Sequence, residues 1–195
     1  MIKLVEVIKM KKIPIARITR IALMAAFIVI GAQIALPQKP PFTLQTFFIF
    51  LISVIMKPAD AVFATLVYIG LGAVGVPVFS GFQGGFGVIL GAGGGFIISF
   101  PIMAFICSTL LRKFKRNVFA RTLVFVIATI VSYIFGIAWI LIMNHSVVEP
   151  SKFFLSYVFP FMLGDILKIA AAVFCTMKLE KVLKHEKKNN KPNKA

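Results

Sequence analysis

Long, unbroken apolar runs are the feature that most constrains how this chain can fold. They show neither the two-residue alternation of a half-buried strand nor the 3.6-residue alternation of a surface helix. Runs of this kind are typical of helices that face lipid. Composition agrees, because 59% of the residues are hydrophobic and 14% are charged, whereas soluble domains have about 45–50% and about 25%. The sequence therefore predicts an integral membrane protein.

Six apolar stretches are separated by segments rich in proline, glycine or charge. We predict an all-α integral membrane fold with six spanning helices, roughly at Ile18–Leu36, Phe42–Met56, Ala61–Val78, Gly94–Leu111, Leu123–Met143 and Phe161–Met177. The second stretch is shorter than the ~17–25 residues of a straight span, so it either begins within a structured loop or lies where the protein is thin. The predicted membrane domain covers residues 18–180, between basic segments at 1–17 and 181–195.

The positive charges are distributed unevenly around these stretches. Of the 22 Lys and Arg, 19 lie in the N-terminal segment, the second and fourth loops and the C-terminal tail, and two lie in the other three loops. The positive-inside rule then puts both termini of a multi-pass membrane protein in the cytoplasm. The net charge of +16 sits in clusters between apolar runs. We therefore assign it to the surface of the lipid bilayer and expect no nucleic acid partner.

Two charged residues, Asp165 and Lys168, lie inside an apolar stretch. Each charge costs ~2.5–3.5 kcal/mol at the centre of a membrane helix, so such residues persist where they pair or bind something. Their i, i+3 spacing places them on one helical face, and the neighbouring Gly164 permits a close backbone approach. One interpretation is an ion pair that fixes helix packing. The interpretation we favour is a pocket for a small polar solute that opens outward.

The third loop supports the same interpretation, a pocket for a small polar solute. Eleven of the 14 glycines fall between Gly70 and Gly95, in a segment that is apolar, aromatic and without charge. We predict that it folds as a compact external lid, in which glycines form tight turns, and Ser80 and Gln83 supply polar contacts. The predicted apolar walls are Phe79, Phe82, Phe86 and Phe96. Helix packing through its GxxxG pairs is the alternative. The segment lacks the Gly-Lys-Ser/Thr of a phosphate-binding loop, so we expect no ATP hydrolysis by this chain.

Six segments resemble the BioY family, the biotin-binding S components of energy-coupling factor (ECF) transporters. They follow the family order and are Arg20–Ala26, Phe42–Thr46, Gly70–Phe79, Gly84–Gly91, Gly94–Phe96 and Gly164–Lys168. The sequence departs from the family pattern at Leu90–Gly94, where the family often has proline and threonine. The resemblance implies an S-component fold and an outward-facing biotin pocket. It also implies three partner subunits, a transmembrane coupling subunit and two ATP-binding cassette (ABC) subunits.

The resemblance also implies which groups read the ligand. An ionised Asp165 suits the N–H donors of the ureido group of biotin, and Lys168 suits its carboxylate. Cβ atoms at i, i+3 lie ~5–6 Å apart, which is shorter than extended biotin. Two alternatives stay open: Lys168 reaches along the pocket, or both residues serve one end of the ligand. The candidate pocket residues are Asp165, Lys168, Ser80, Gln45, Gln83, Phe42, Phe86, Gly93 and Tyr133.

A patch of small residues on the first span, formed by Ala22, Ala25 and Ala26 with Ala22 and Ala26 one turn apart, is the candidate partner interface. Small side chains let another helix approach closely in a membrane. The resemblance implies that this face contacts the coupling subunit. Packing inside the six-helix bundle is the alternative.

The predicted function is substrate capture for an ATP-driven biotin importer, with biotin as transported ligand and no cofactor. A stand-alone ion-coupled carrier of a small polar solute or vitamin, with Asp165 as a proton site, is the alternative. An intramembrane enzyme is disfavoured, because no histidine lies in an apolar stretch beside Asp165 and Lys168.

Overall fold

The computed structural model describes residues 14–36, 41–114, 117–143 and 159–189. In chain order the elements are α1 (Ile15–Gln33), β1 (Ala35–Leu36), β2 (Phe42–Thr43), α2 (Gln45–Ile55), α3 (Pro58–Ala73), a 3-10 helix (Ser80–Phe82), α4 (Phe86–Leu90), α5 (Gly94–Lys113), α6 (Val118–Met143) and α7 (Phe159–Asn189). The all-α class is confirmed for these residues. Several predictions concern parts of the chain outside the described residues. These parts are residues 1–13, most of the first loop, nearly all of the fifth loop and residues 190–195.

Among the described residues, three helices are long and apolar enough to cross a membrane, and they are α1, α5 and α6, with 19, 20 and 26 residues. Helices α2 and α3 are apolar but have 11 and 16 residues. Helix α7 has 31 residues and continues to Asn189, well past the predicted end at Met177. Its extension is rich in Lys and Glu, which favour helix. These helices identify a membrane protein, while the count of six spans stays a prediction.

The second predicted stretch begins as a strand. β1 pairs antiparallel with β2, with Ala35 opposite Thr43 and Leu36 opposite Phe42. Helix α2 starts only at Gln45. The stretch therefore begins within a structured loop, which was one of the two expectations for it, and the ladder ties the start of α2 to the end of α1.

Small residues let the helices pack closely. Helix α5 lies centrally against α2, α3 and α6, while α1 packs on α2 and α3, and α7 packs on α2 and α6. Close packing matters because lipid removes the hydrophobic drive that holds helices together in water. Alanines that are 0–2% exposed occur on five helices, and they are Ala25, Ala32, Ala61, Ala64, Ala104, Ala128 and Ala172.

Two ion pairs join helices at one end of the bundle, which we call the basic end. Arg17 Nη2 on α1 lies 2.6 Å from Asp60 Oδ1 on α3, and Arg121 Nη2 on α6 lies 2.6 Å from Glu180 Oε2 on α7. The Arg121 side chain is 2% exposed. Sequence reasoning counted Arg121 among loop residues, because it stands at the edge of an apolar run. Among the described residues, Arg121 and Lys168 are the two charged residues that are buried.

Candidate functional site

A cavity of about 590 Å³ lies at the end of the bundle opposite the basic end. This volume falls in the range of ~300–1,000 Å³ that is usual for small-molecule sites. Its walls come from β2 and the start of α2, the segment between α3 and α5, and the facing sides of α6 and α7. Eight of the nine predicted pocket residues line it, and they are Phe42, Gln45, Ser80, Gln83, Gly93, Tyr133, Asp165 and Lys168.

Phe86 is the predicted pocket residue that lies outside this cavity. Its side chain is 64% exposed and is not part of the wall. Helix α4 has only five residues, so one face can meet the cavity, and that face carries Gly87 and Val88. Of the four phenylalanines expected to form apolar walls, Phe79 and Phe96 line the cavity, whereas Phe82, like Phe86, is exposed and does not.

Asp165 and Lys168 form an ion pair on α7 and both line the cavity. Lys168 Nζ lies 2.9 Å from Asp165 Oδ1. The Lys168 side chain is 7% exposed and the Asp165 side chain is 16% exposed. The Tyr133 hydroxyl on α6 donates to Asp165 Oδ2 at 2.6 Å. Lys168 Nζ also lies 3.6 Å from the centroid of the Phe42 ring, a cation–π distance. The packing and pocket interpretations of this pair therefore both have support.

The ion pair at the cavity wall keeps hydrogen-bonding capacity beyond the bonds it makes within the protein. An ionised carboxylate has about four lone-pair sites and an ammonium has three donors. The two bonds to Asp165 use one site on each oxygen, and the bond from Lys168 uses one of its donors. An acceptor and a donor therefore stand side by side on the wall. The described residues hold no group of three or more His, Cys, Asp and Glu that could bind a metal ion.

Phe42 reaches the ion pair because Gly164 has no side chain. A Cβ placed at Gly164 would overlap the Phe42 ring. The same ring lies 5.9 Å from the ring of Phe161. The close approach expected at Gly164 is therefore present, and it is made by an aromatic ring rather than by another backbone.

Gln45 lines the cavity, yet both ends of its amide bond to the protein. Its Oε1 accepts from Thr43 Oγ1 at 2.5 Å, and its Nε2 donates to the Tyr68 hydroxyl. The side chain is 6% exposed. Gln45 therefore holds β2, α2 and α3 together at the wall, with little of its amide left for a ligand.

Thr46 is a cavity residue that sequence reasoning missed. Its hydroxyl is buried and has no hydrogen-bond partner within the described part of the chain, and the residue lines the cavity. A buried hydroxyl without a partner is costly, so this position suits a polar ligand atom. The sequence held one indication that Thr46 belongs to the pocket, because it directly follows the candidate pocket residue Gln45.

The glycines before and within the start of α5 allow tight packing beside the cavity. The Trp139 indole Nε1 on α6 donates to Gly91 O at 3.1 Å. A Cβ at Gly94 would collide with Ile89 O, and a Cβ at Gly95 would lie 2.5 Å from Phe135 O on α6. The predicted tight turns and the alternative of glycine-mediated helix packing are thus both present.

On α1, the predicted partner residues Ala22 and Ala26 are exposed. Ala25, the third residue of the predicted patch, is 2% exposed and belongs to the core, so it is not available to a partner. Packing inside the bundle therefore involves Ala25, whereas Ala22 and Ala26 form an outward face of small residues one helical turn apart.

Fold and cavity together define a class of protein, an all-helical membrane protein with a partly polar cavity at one end of its bundle. The chain belongs to the BioY family, whose sequence model matches residues 6–185. The family resemblance drawn from the six short segments is thereby confirmed.

Several relatives are similar over most of their length. "Probable biotin transporter BioY" of Pyrococcus horikoshii is 38% identical over 164 residues, which are 84% of this chain and 95% of the relative. "Biotin transporter BioY" of Thermotoga maritima is 32% identical over 168 residues, or 85% and 96% of the two chains. The crystal structure of the S-component for biotin from an ECF-type ABC transporter has a TM-score of 0.76 at 23% identity, covering 86% of this chain and 92% of that one. This last likeness shows a shared fold.

Proposed function

We propose that this chain is the substrate-capture subunit of an ATP-driven biotin importer. It binds biotin in the cavity and delivers it through a transmembrane coupling subunit and two ABC ATPase subunits. The observation that carries the proposal is the buried ion pair of Asp165 and Lys168 at the wall of a ligand-sized cavity. The names of the relatives, which are biotin transporters, support the substrate. The chain acts by binding, with no catalysis and no cofactor of its own.

In this proposal six helices cross the bacterial cell membrane, with both termini in the cytoplasm. The uneven distribution of Lys and Arg supports this orientation. The separation of the cavity from the basic end, where Arg17 and Arg121 lie, agrees with it. The cavity then opens outward, and the Gly-rich segment between α3 and α5 covers it from outside.

Asp165 and Lys168 both read the ureido end of biotin. This group carries a carbonyl between two N–H groups, so donors and an acceptor lie side by side. The 2.9 Å ion pair offers the matching set, since Asp165 accepts from an N–H group and Lys168 donates to the carbonyl. Lys168 is nearly buried, whereas Gln83 is exposed. The carboxylate of biotin therefore points toward the mouth, near Ser80 and Gln83.

Calorimetric titration of the purified protein with biotin tests the proposal. We expect tight binding by the isolated chain without ATP, because the cavity can bury the ring and pair the polar groups of the ligand. Thiamine and riboflavin are expected not to compete. Competition by either vitamin at concentrations similar to biotin contradicts the assigned substrate. Biotin uptake by this chain alone that an uncoupler abolishes supports an ion-coupled carrier instead.

Thr46→Val is expected to weaken biotin binding by about 2–12-fold, the equivalent of ~0.5–1.5 kcal/mol for one neutral hydrogen bond. Thermal stability should hold or rise, because the hydroxyl has no partner among the described residues. Thr109→Val is the matched control, since the Thr109 hydroxyl is also buried without a described partner but does not line the cavity. Equal affinities of the two variants, measured by titration, would show that Thr46 does not meet the ligand.

Ala26→Leu is expected to leave biotin binding within about twofold and to impair assembly with the coupling subunit. Extra bulk at a close helix contact costs ~1–3 kcal/mol, which corresponds to about a 5–150-fold loss of partner affinity. Co-purification and biotin uptake measure this loss. Ala171→Leu, at an exposed position on α7, is the control and should assemble normally. Unfolding or loss of biotin binding in Ala26→Leu would assign the patch to internal packing.

A further inference from the structure

Gln33, the last residue of α1, bonds to the turn that covers part of the cavity. We define the mouth turn as residues 78–83. The Gln33 Nε2 atom donates to Val78 O at 3.3 Å and to Phe79 O at 3.0 Å. Its Oε1 atom accepts from the backbone N–H of Phe82 at 3.0 Å. One side chain thus satisfies three backbone groups of the turn, none of which belongs to its own helix.

The mouth turn forms part of the cavity wall, whereas Gln33 does not. Phe79, Ser80 and Gln83 line the cavity, and the Phe79 N–H donates to Gln83 O at 2.9 Å to close the turn. A change at Gln33 therefore removes no contact with a bound ligand. Any effect on binding must act through the position of the turn.

The tip of the turn has a conformation that needs support. Phe82 has φ of +56°, in the left-handed region that costs a residue with a side chain ~1–2 kcal/mol. Its side chain is 72% exposed, so side-chain packing does little to offset this cost. The bond from the Phe82 N–H to Gln33 is the described contact that holds this residue in place.

The base of the turn is held separately on α3. The Phe79 ring lies against Gly72, where a Cβ would collide with it, and 5.5 Å from the Tyr68 ring. The Gly85 N–H donates to Gly72 O at 2.7 Å. The turn is therefore fixed on α3 at its base, and its tip depends on α1 through the Gln33 amide.

From this geometry we infer that Gln33 is a positioning residue that latches the mouth turn over the cavity and thereby slows ligand release. The inference rests on the proposed function, because the ligand it retains is biotin. It adds a role for a residue outside the cavity. It also makes the turn tip a movable part of the wall, with α1 as the element that holds it.

Gln33→Met tests the latch, because methionine keeps the length of the side chain and removes all three hydrogen bonds. We expect hydrogen–deuterium exchange at the Phe82 amide, in the ligand-free protein, to accelerate by about tenfold or more as its protecting bond is lost. Exchange at the Gly85 amide should stay slow, because its bond to Gly72 is untouched. Thr19→Val on the same helix is the control, since the Thr19 hydroxyl bonds within α1, to Ile15 O, in the part of the chain that the structure describes.

Biotin kinetics supply the second measurement. We expect the dissociation rate of Gln33→Met to rise by about tenfold, with an association rate that is equal or faster. The double variant Gln33→Met with Phe82→Gly should release biotin more slowly than Gln33→Met alone, because glycine adopts positive φ without cost. Rescue at position 82 is not expected if Gln33 merely stabilises the end of α1.

Two results would overturn the latch, and they are unchanged exchange at Phe82 or an unchanged dissociation rate in Gln33→Met. If Gln33→Met unfolds, Gln33→Glu replaces it, since its carboxylate repels the carbonyls of Val78 and Phe79 and is expected to give the same faster release. Absence of biotin binding by the unmodified protein would refute the proposed function instead. In that case, hydrogen–deuterium exchange at the Phe82 amide, compared between Gln33→Met and the unmodified protein, still shows whether Gln33 holds the turn.

Discussion

Lys168→Met is expected to weaken biotin binding by about 10–150-fold, corresponding to ~1.5–3 kcal/mol for a hydrogen bond from a charged group. Methionine fills similar space, so the change removes chiefly the donor and the charge. It also leaves Asp165 at the wall with the Tyr133 hydroxyl but without its cation. Because a buried charge without its counter-ion is unfavourable, we expect a lower unfolding midpoint as well, measured alongside titration with biotin.

A double variant separates ligand binding from helix packing. Asp165→Asn with Lys168→Met removes both charges, so stability should recover relative to the single change while biotin binding stays weak. Asp60→Asn is the control, because it breaks the ion pair with Arg17 at the basic end and should leave affinity within about twofold. Normal binding by Lys168→Met together with a large loss of stability would support the packing role alone.

The same variant tests which end of biotin the ion pair reads. If Lys168 serves the ureido group, Lys168→Met should weaken biotin and an uncharged biotin amide by the same factor. If Lys168 serves the carboxylate, the amide should lose little affinity. The second outcome would reverse the proposed orientation of the ligand in the cavity.

Gly164→Ala is expected to reduce biotin affinity by about 5–150-fold, in line with the ~1–3 kcal/mol cost of inserting a methyl group into a well-packed site. The added Cβ meets the ring of Phe42. Phe42 must then move away from Lys168, whose Nζ lies over its face, and both residues line the cavity. Titration of the purified variant with biotin measures the effect.

Gly70→Ala is the matched control for this change. Gly70 also lies within a helix, and a Cβ there meets nothing within 4 Å, so affinity should stay within about twofold and helix stability should rise slightly. A normal affinity for Gly164→Ala would mean that Phe42 has room to shift. The contact of Phe42 with Gly164 would then not be needed for the site.

The sequence by itself determined the class of the protein and the centre of its site. Uninterrupted apolar runs require a lipid environment, because no water-exposed fold hides so many apolar side chains. Asp165 and Lys168 stand out because charge is costly in such a run, and the structure brings them together at the cavity wall. The clustered glycines likewise marked the segment that folds tightly beside that cavity.

Only the tertiary structure decided which way the other side chains point. In a membrane helix the lipid-facing and core-facing positions are both apolar, so periodicity does not separate them. The apolar segment between α3 and α5 likewise has no pattern that separates its phenylalanines, yet Phe79 lies in the cavity wall and Phe86 outside it. Arg121 at the edge of an apolar run is buried against Glu180.

The polar partners of the site also depend on tertiary contacts. Tyr133 meets Asp165 across 32 positions of sequence, and Gln33 meets Phe82 across 49. Neither pair leaves a local pattern, since each bond joins separate elements. Because placing a charge in lipid is costly, the sequence alone shows that a charged group needs a partner. The packing of the helices decides which residue that partner is.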